Sequence, residues 1–270
     1  MKKDYVAVED GAAPVDEAAF VERYWTASWN KESRTPVLTD LPRRDEYRIM
    51  RPFLDRVPRD SRILDGGCGL GEWTVFLAQQ GREIVGLDLS AEVVSALQAR
   101  FPACTFMRGD IRHTGFDAGS FGAYFSWGAF EHFENGLGDC IAEAHRILRP
   151  GGWLFISVPF QNWRHLLRDT RRLDRWDPGF RPGLGYGQAQ RFYQWRLTRP
   201  ELQRELELRG FRTESVTPIH KLSGVGRWLQ WDLPVFRPGS RAYFAARRAL
   251  SMVMPASHIS HMILAVAERR

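Results

Sequence analysis

Residues 63–72 read ILDGGCGLGE: two apolar residues, Asp65, then glycines at 66, 67, 69 and 71. An apolar run broken by closely spaced glycines is a strand that turns sharply into a helix, because glycine alone enters left-handed backbone freely and lets a ligand come close. The predicted elements are a strand over Arg62–Leu64 and a helix over Gly71–Gln80. Open N–H groups at the start of that helix favour a carboxylate. A dinucleotide fingerprint, G-x-G-x-x-G, would place its third glycine at position 72, where this chain has Glu72. A pyrophosphate is also disfavoured by Asp65 at the strand tip. The turn therefore suits a ligand that carries an ammonium as well as a carboxylate.

Outward from this turn, short strands alternate with helices. Strands are predicted over Glu83–Leu87, Thr105–Arg108, Ala123–Trp127 and Trp153–Val158, with helices over Ala91–Phe101 and Gly138–Leu148. A further helix spans Pro200–Leu208, and the last two strands are Thr213–Pro218 and Met262–Ala267. Such alternation gives an α/β, Rossmann-like, doubly wound sheet. Two more polar features follow strands in order. Asp88 ends the second strand, where a carboxylate can grip both hydroxyls of a ribose. Gly109-Asp110-Ile111 follows the third, where Asp110 can accept from an adenine amino group while Ile111 packs on the ring and Leu89 covers its other face. Asp65, Gly66, Gly67, Gly69 and Gly71, with Asp88 and Asp110, make a three-point site that S-adenosylmethionine matches.

Residues 61–158 resemble the class I S-adenosylmethionine-dependent methyltransferases, in particular the small-molecule branch with the ubiquinone and menaquinone biosynthesis enzymes. The resemblance rests on DGGCGLG, GLDLS, GDI, Phe130-Glu131-His132 after the fourth strand, and LRPGGWLFISVP. It extends loosely to RPELQRELELRGF and HMILAVAE. It implies seven strands, mostly parallel, the last one near residues 262–267 running antiparallel. Where the family often has Asp, this chain has Gly122.

Methyl transfer needs an aligned nucleophile, and an oxygen acceptor also needs a base. The end of the fourth strand offers His132 as that base and Glu131 to orient it or to hold substrate. Ser126 and Trp127 are expected against the cofactor. Phe130-Glu131-His132-Phe133 also resembles a segment of the cyclopropane fatty-acid synthases, so a carbon-methylating lipid enzyme is an alternative. His165 and His220 are candidates for the substrate cleft. His145 reads as a surface or core residue of a helix, His258 and His261 as structural, and no histidine pair has metal-ligand spacing.

The 270 residues carry a net charge of +6. The excess is local: residues 160–250 hold 18 Lys and Arg against 8 Asp and Glu. An anionic substrate, a membrane surface or nucleic acid would each answer to it. The sequence argues against nucleic acid, since Ser126-Trp127-Gly128 stands where the amino-methylating DNA enzymes of the resembled family carry Asp/Asn-Pro-Pro-aromatic.

The expected organisation is an N-terminal helical cap over 1–60 and a cofactor-binding domain over 61–270. Within the cap, residues 1–15 read as disordered, Asp16–Asn30 and Asp45–Val57 as helices, and Pro36–Pro42 as a loop. The domain carries two insertions. One, residues 160–198, interleaves aromatics with arginines and is expected to act as a lid. The other is 221–257, within which Ser240–Met254 reads as an amphipathic helix with Tyr243, Ala246, Leu250, Val253 and Met254 on one face. That helix is expected to dock on the sheet, with an anionic membrane or a dimer interface as alternatives. Three separated cysteines, no apolar leader at the N-terminus and no 18-residue apolar run lead to the expectation of a cytoplasmic protein, with peripheral membrane contact left open.

The function expected from the sequence is methyl transfer from S-adenosylmethionine to a small-molecule, glycan or glycolipid acceptor at oxygen. Nitrogen or carbon methylation of a similar acceptor, or a catalytically silent cofactor-binding scaffold, are the alternatives.

Overall fold

The computed structural model describes residues 1–7, 17–31, 38–170, 180–181, 185–186, 190–231 and 237–270. In chain order the elements are β1 (Lys2–Ala7), α1 (Glu17–Lys31), a 3-10 turn (Leu38–Arg43), α2 (Asp45–Leu54), β2 (Ile63–Gly66) and α3 (Glu72–Gln79). They continue with β3 (Ile84–Asp88), α4 (Ala91–Arg100), β4 (Thr105–Arg108), β5 (Phe121–Trp127), a 3-10 turn (Phe130–His132), α5 (Gly138–Ile147) and β6 (Leu148–Pro159). The C-terminal part comprises α6 (Trp163–Thr170), β7 (Phe180–Arg181), β8 (Gly185–Tyr186), β9 (Gln190–Arg196), α7 (Arg199–Glu207), β10 (Phe211–Ile219), α8 (Lys221–Trp231), α9 (Arg241–Val253), α10 (Ala256–Ile259) and β11 (Met262–Arg269).

Seven strands form one sheet in the order β10-β11-β6-β5-β2-β3-β4. β11 runs antiparallel to both β6 and β10, and the remaining pairings are parallel. All the other strands therefore end at one edge of the sheet. The antiparallel strand is the expected one.

Both faces of the sheet are covered, and neighbouring residues alternate between the two cores. Leu64, Tyr124, Leu154 and Ile263 enter one core. Ile63, Phe125, Phe155 and Leu264 enter the other. A strand buried on both sides reads as a continuous apolar run, as these strands do. The departure at Gly122 has a steric reason. A Cβ there would lie 2.8 Å from the Ser61 Cβ and 2.9 Å from the Val57 Cγ1, so the chain crosses too closely for the aspartate common in the resembled family.

Several expectations need correction. Residues 2–7 are not disordered: they form β1, which pairs antiparallel with β9. The cap is therefore a strand plus helices, not purely helical. Part of the predicted loop at 36–42 is a 3-10 turn whose Leu41 is fully buried. In α9, Val253 is not on the packed face: it is 76% exposed, while Tyr243 packs with Val225, Leu229 and Ile259, and Ala246, Leu250 and Met254 support that cluster. The helix stops at Val253 before Pro255, which frees Val253 from the face its spacing suggested. Of the expected lid, Trp176, Arg171, Arg172 and Arg175 lie outside the described residues.

Candidate active site

β2 delivers the glycine turn. Gly67, Gly69 and Gly71 all have positive φ, at 75°, 51° and 70°. A Cβ on Gly67 would also lie 2.7 Å from the Ala129 Cβ. The turn is tied to the next strand: Gly67 and Cys68 N–H both donate to the Leu87 carbonyl, at 2.8 and 3.0 Å. Gly69 N–H donates to Asp88 Oδ2 at 2.9 Å, and Gly71 N–H to the Cys68 carbonyl at 2.9 Å. The turn N–H groups of residues 67, 68, 69 and 71, ahead of the first turn of α3, are thus used within the protein. Leu70 N–H has no such bond among the described residues.

Asp88 is fixed from both sides. Its other oxygen, Oδ1, accepts the Ser90 N–H at 3.0 Å. Each carboxylate oxygen keeps a further lone pair, so both can still accept from a ligand. Asp110 is clamped by Arg112, whose Nε and Nη2 donate to its two oxygens at 2.7–3.1 Å. The same guanidinium pairs with Glu17 of α1 at 2.9 Å and lies 4.2 Å from the centroid of Phe133.

These residues enclose a pocket of about 710 Å³, mouth included. Gly67, Gly69, Asp88, Leu89, Gly109, Asp110, Ile111, Trp127 and His132 line it, so three separate strand ends converge there. Asp65, Gly66, Gly71, Ser126 and Glu131 do not. Asp65 is 2% exposed and accepts from Thr74 Oγ1 at 2.7 Å, which joins the strand to α3. Burial pushes its carboxyl up to about 7. Ser126 Oγ donates to the Gly66 carbonyl at 2.6 Å and braces the turn from beneath.

His132 is 5% exposed, with its ring against Trp25 at 5.0 Å and Tyr193 at 5.2 Å. Its Nδ1–H donates to the Tyr193 carbonyl at 2.7 Å. That carbonyl is available because of a bulge: Asp4 pairs with Gln194 and Tyr5 with Phe192, leaving Tyr193 as the extra residue. Burial lowers the imidazole to about 4, so it is neutral at pH 7. Glu131 is 2% exposed, and burial raises its carboxyl to about 8. Its Oε1 lies 3.9 Å from His132 Nε2, too far for a hydrogen bond, and its Oε2 has no partner. The two side chains are therefore neutral neighbours rather than an ion pair.

The sequence reading missed the roof of the pocket. Val21, Glu22 and Trp25 of α1 line it, with Ser90, Gly128, Ala129 and Phe133. Glu22 accepts the Ala91 N–H at 3.3 Å and pairs with Arg108 at 3.4 Å, and Thr26 meets Ser90 at 2.7 Å. The signal was present as an aromatic helix carrying Glu17 and Glu22, but nothing local indicated which surface it covers. His165 and His220 do not line the pocket. His165 Nδ1 meets the Phe160 carbonyl at 3.1 Å, and His220 pairs with Glu46 at 2.8 Å. Among the described residues no His, Cys, Asp and Glu cluster is arranged to hold a metal.

Comparison with known proteins agrees with this geometry. Residues 63–152 match the methyltransferase-domain family. Malonyl-[acyl-carrier protein] O-methyltransferase of Enterobacter lignolyticus is 29% identical over 162 residues, covering 60% of this chain and 62% of that protein. Demethylmenaquinone methyltransferase of Chlorobaculum tepidum is 31% identical over 102 residues, covering 37% and 42%. The chain thus spans less than two thirds of these relatives. Among solved structures, the Burkholderia thailandensis 1,6-didemethyltoxoflavin-N1-methyltransferase, with S-adenosylhomocysteine bound, superposes with a TM-score of 0.57 at 19% identity, covering 99% and 96%. Geranyl diphosphate C-methyltransferase of Streptomyces coelicolor gives 0.57 at 16%, covering 96% and 100%. The chain carries a methyltransferase domain, matched over residues 63–152, in a class I methyltransferase fold.

Proposed function

We propose that this protein transfers a methyl group from S-adenosylmethionine to a small-molecule, glycan or glycolipid acceptor, at oxygen. The observation that carries this reading is the convergence of the glycine turn, Asp88 and Gly109-Asp110-Ile111 on one pocket. The residues present fit the cofactor. A carboxylate pinned by two backbone N–H groups is preorganised to accept two ribose hydroxyls. Gly67 and Gly109 leave the wall without side chains, and a Cβ on Gly109 would lie 2.7 Å from Leu87 Cδ1. Trp127, which lines the pocket, has a buried indole N–H with no partner. Asp65 acts on this site through the turn rather than by contact.

When bound, the sulfonium supplies an already activated methyl carbon, so the protein's task is alignment and proton removal. His132 suits the second task. Its neutral ring donates Nδ1–H to the Tyr193 carbonyl, which would leave Nε2 with the lone pair, although the Gly128 carbonyl also lies against the ring. Glu131, protonated behind it, would keep negative charge away from the site. Trp25 and the rest of α1 would exclude water from the reacting groups.

The relatives and neighbours named above methylate oxygen, nitrogen and carbon by their own names, so the fold does not select the acceptor atom. The oxygen reading rests on His132 being an uncharged base. Titration calorimetry with S-adenosylhomocysteine tests the donor site, and failure to bind would end the proposal. With a turning-over acceptor, His132→Ala should lower kcat by about 10²–10³ with donor affinity nearly unchanged. Unchanged kcat would remove His132 as the base and favour nitrogen or carbon acceptors. Binding with no transfer to any acceptor in a cell extract would favour the silent scaffold.

A further inference from the structure

The same sheet edge carries a second concave feature with different chemistry. β10 runs parallel to β6, so its end at Ile219 opens on the edge where β2, β3 and β4 deliver the donor pocket. Beyond Ile219, α8 and α9 pack on each other through Val225, Leu229 and Tyr243. Between this pair and the start of α2 lies a groove walled by Arg43, Arg44, Lys221, Arg247 and Arg248, with Phe244 at its side. Ser223 and Ser251 add hydroxyls, and Asp45 and His220 also line it. Asp45 is engaged by the His220 N–H at 3.0 Å, Arg44 by Glu72 at 2.8 Å, and Arg247 donates Nε–H to the Leu222 carbonyl at 2.9 Å. Arg43, Lys221 and Arg248 make no ion pair among the described residues.

The exposed side of α9 extends the pattern. Its sequence, RAYFAARRALSMV, contains no acid, and no Asp or Glu occurs from residue 233 to residue 267. Arg241 and Arg248 lie on the outward face, where a helix also presents positions 244, 245 and 252. Phe244 is 54% exposed, Met252 73% and Leu222 45%. A face bound to phosphates alone would gain nothing from a bare phenyl and a bare thioether. A surface offering phosphates above hydrocarbon would use both, as interfacial helices do.

We propose that the α8–α9 face docks on an anionic lipid surface, its groove taking a lipid headgroup phosphate and Phe244, Met252 and Leu222 entering the acyl boundary. Among the described residues no helix is long and apolar enough to cross a membrane, so the contact is lateral. Docking there would turn the sheet edge that carries the donor pocket toward the bilayer. The proposal rests on charge and exposure at a surface apart from the donor pocket, and so stands or falls separately from methyl transfer.

The test is co-sedimentation of the full chain with phosphatidylcholine vesicles, with and without phosphatidylglycerol, at low and high salt. Binding to the anionic vesicles, weakened by salt, is expected. Each of Arg241→Ala and Arg248→Ala should weaken it by about fivefold. Phe244→Ser should weaken it further while leaving S-adenosylhomocysteine affinity unchanged, which also reports that the variants fold. Equal binding to both vesicle types, or to neither, would overturn the proposal. So would inorganic phosphate or duplex DNA binding to the wild-type chain in the absence of vesicle binding.

Discussion

The two ends of the sheet edge treat polar groups in opposite ways. Beside the donor pocket, Asp65, Glu131 and His132 are buried and Asp88 is half-buried, and three of these four are held by a named partner: Asp65 by Thr74, Asp88 by two backbone N–H groups, His132 by the Tyr193 carbonyl. Along α8 and α9, cations stand in solvent without acids, beside exposed apolar side chains. The first arrangement fixes geometry before a ligand arrives. The second leaves charge and apolar area uncommitted until a surface arrives. Burial of polar groups thus distinguishes the pocket proposed for the donor, and exposure of apolar ones the surface proposed for docking.

The largest expected effect tests the buried half through pH. Glu131 carries its proton more tightly in the fold, at about 8 against an ordinary 4.5. Its contribution to stability is complete below pH 4.5 and is lost as pH rises through 8. His132 acts in the opposite direction: its contribution is present above 6.5 and lost as pH falls through about 4. Glu131→Gln removes only the first dependence. A loss of about 4 kcal/mol between pH 5 and pH 9 should disappear in this variant. Thermal melts without ligand should show its advantage over wild type growing by about 10 °C between those pH values. A constant difference would mean that Glu131 is ionised in the fold, and the contrast between the two regions would lose its best example.

Next in size is Asp88→Ala. Losing two charge-assisted acceptors should weaken S-adenosylhomocysteine binding about 100-fold, measured by calorimetry. It also releases the Gly69 and Ser90 N–H groups, so a loss confined to enthalpy of binding with unchanged folding would separate ligand contact from turn support. An unchanged affinity would show that Asp88 serves the turn alone. Trp25→Ala should have a smaller effect, about tenfold on donor affinity, equivalent to ~1.4 kcal/mol. An effect under twofold would leave α1 as a packing element and not a roof.

The difference between these regions also explains what the sequence could reveal. Gly67, Gly69, Asp88, Gly109 and Asp110 are legible because each sits at a strand end, and the order of strand ends along the chain fixes their convergence in space, whereas Gly66 and Gly71 shape the turn without lining the pocket. The strands themselves were legible as short apolar runs between helices. The roof was not legible, because α1 reaches the pocket through contacts between residues 17–26 and residues 88–134, and no local spacing encodes those. β1 was hidden as well: KKDYVA is charged and short, and it becomes a strand only because β9 offers an edge. The bulge at Tyr193 that anchors His132 is a property of that pairing. The outward face of α9 was misread at Val253 because spacing gives the angle of a residue around a helix and not where the helix ends.

The smallest expected effect is a null result, and it divides the molecule most cleanly. Arg248→Ala and Phe244→Ser lie on a face that shares the sheet edge with the donor pocket but contributes no lining residue to it. Both side chains are exposed, and neither makes an ion pair among the described residues. Substitutions at separated sites with no common partner act independently. S-adenosylhomocysteine affinity should therefore stay within about twofold, and the melting temperature within about 2 °C, as for exposed substitutions generally. A larger loss of donor affinity in either variant would mean that the α8–α9 layer and the donor pocket are one coupled unit. The exposed phenylalanine would then belong to the machinery of the site, and its exposure would need an explanation in the closing of that site and not in a surface beyond it.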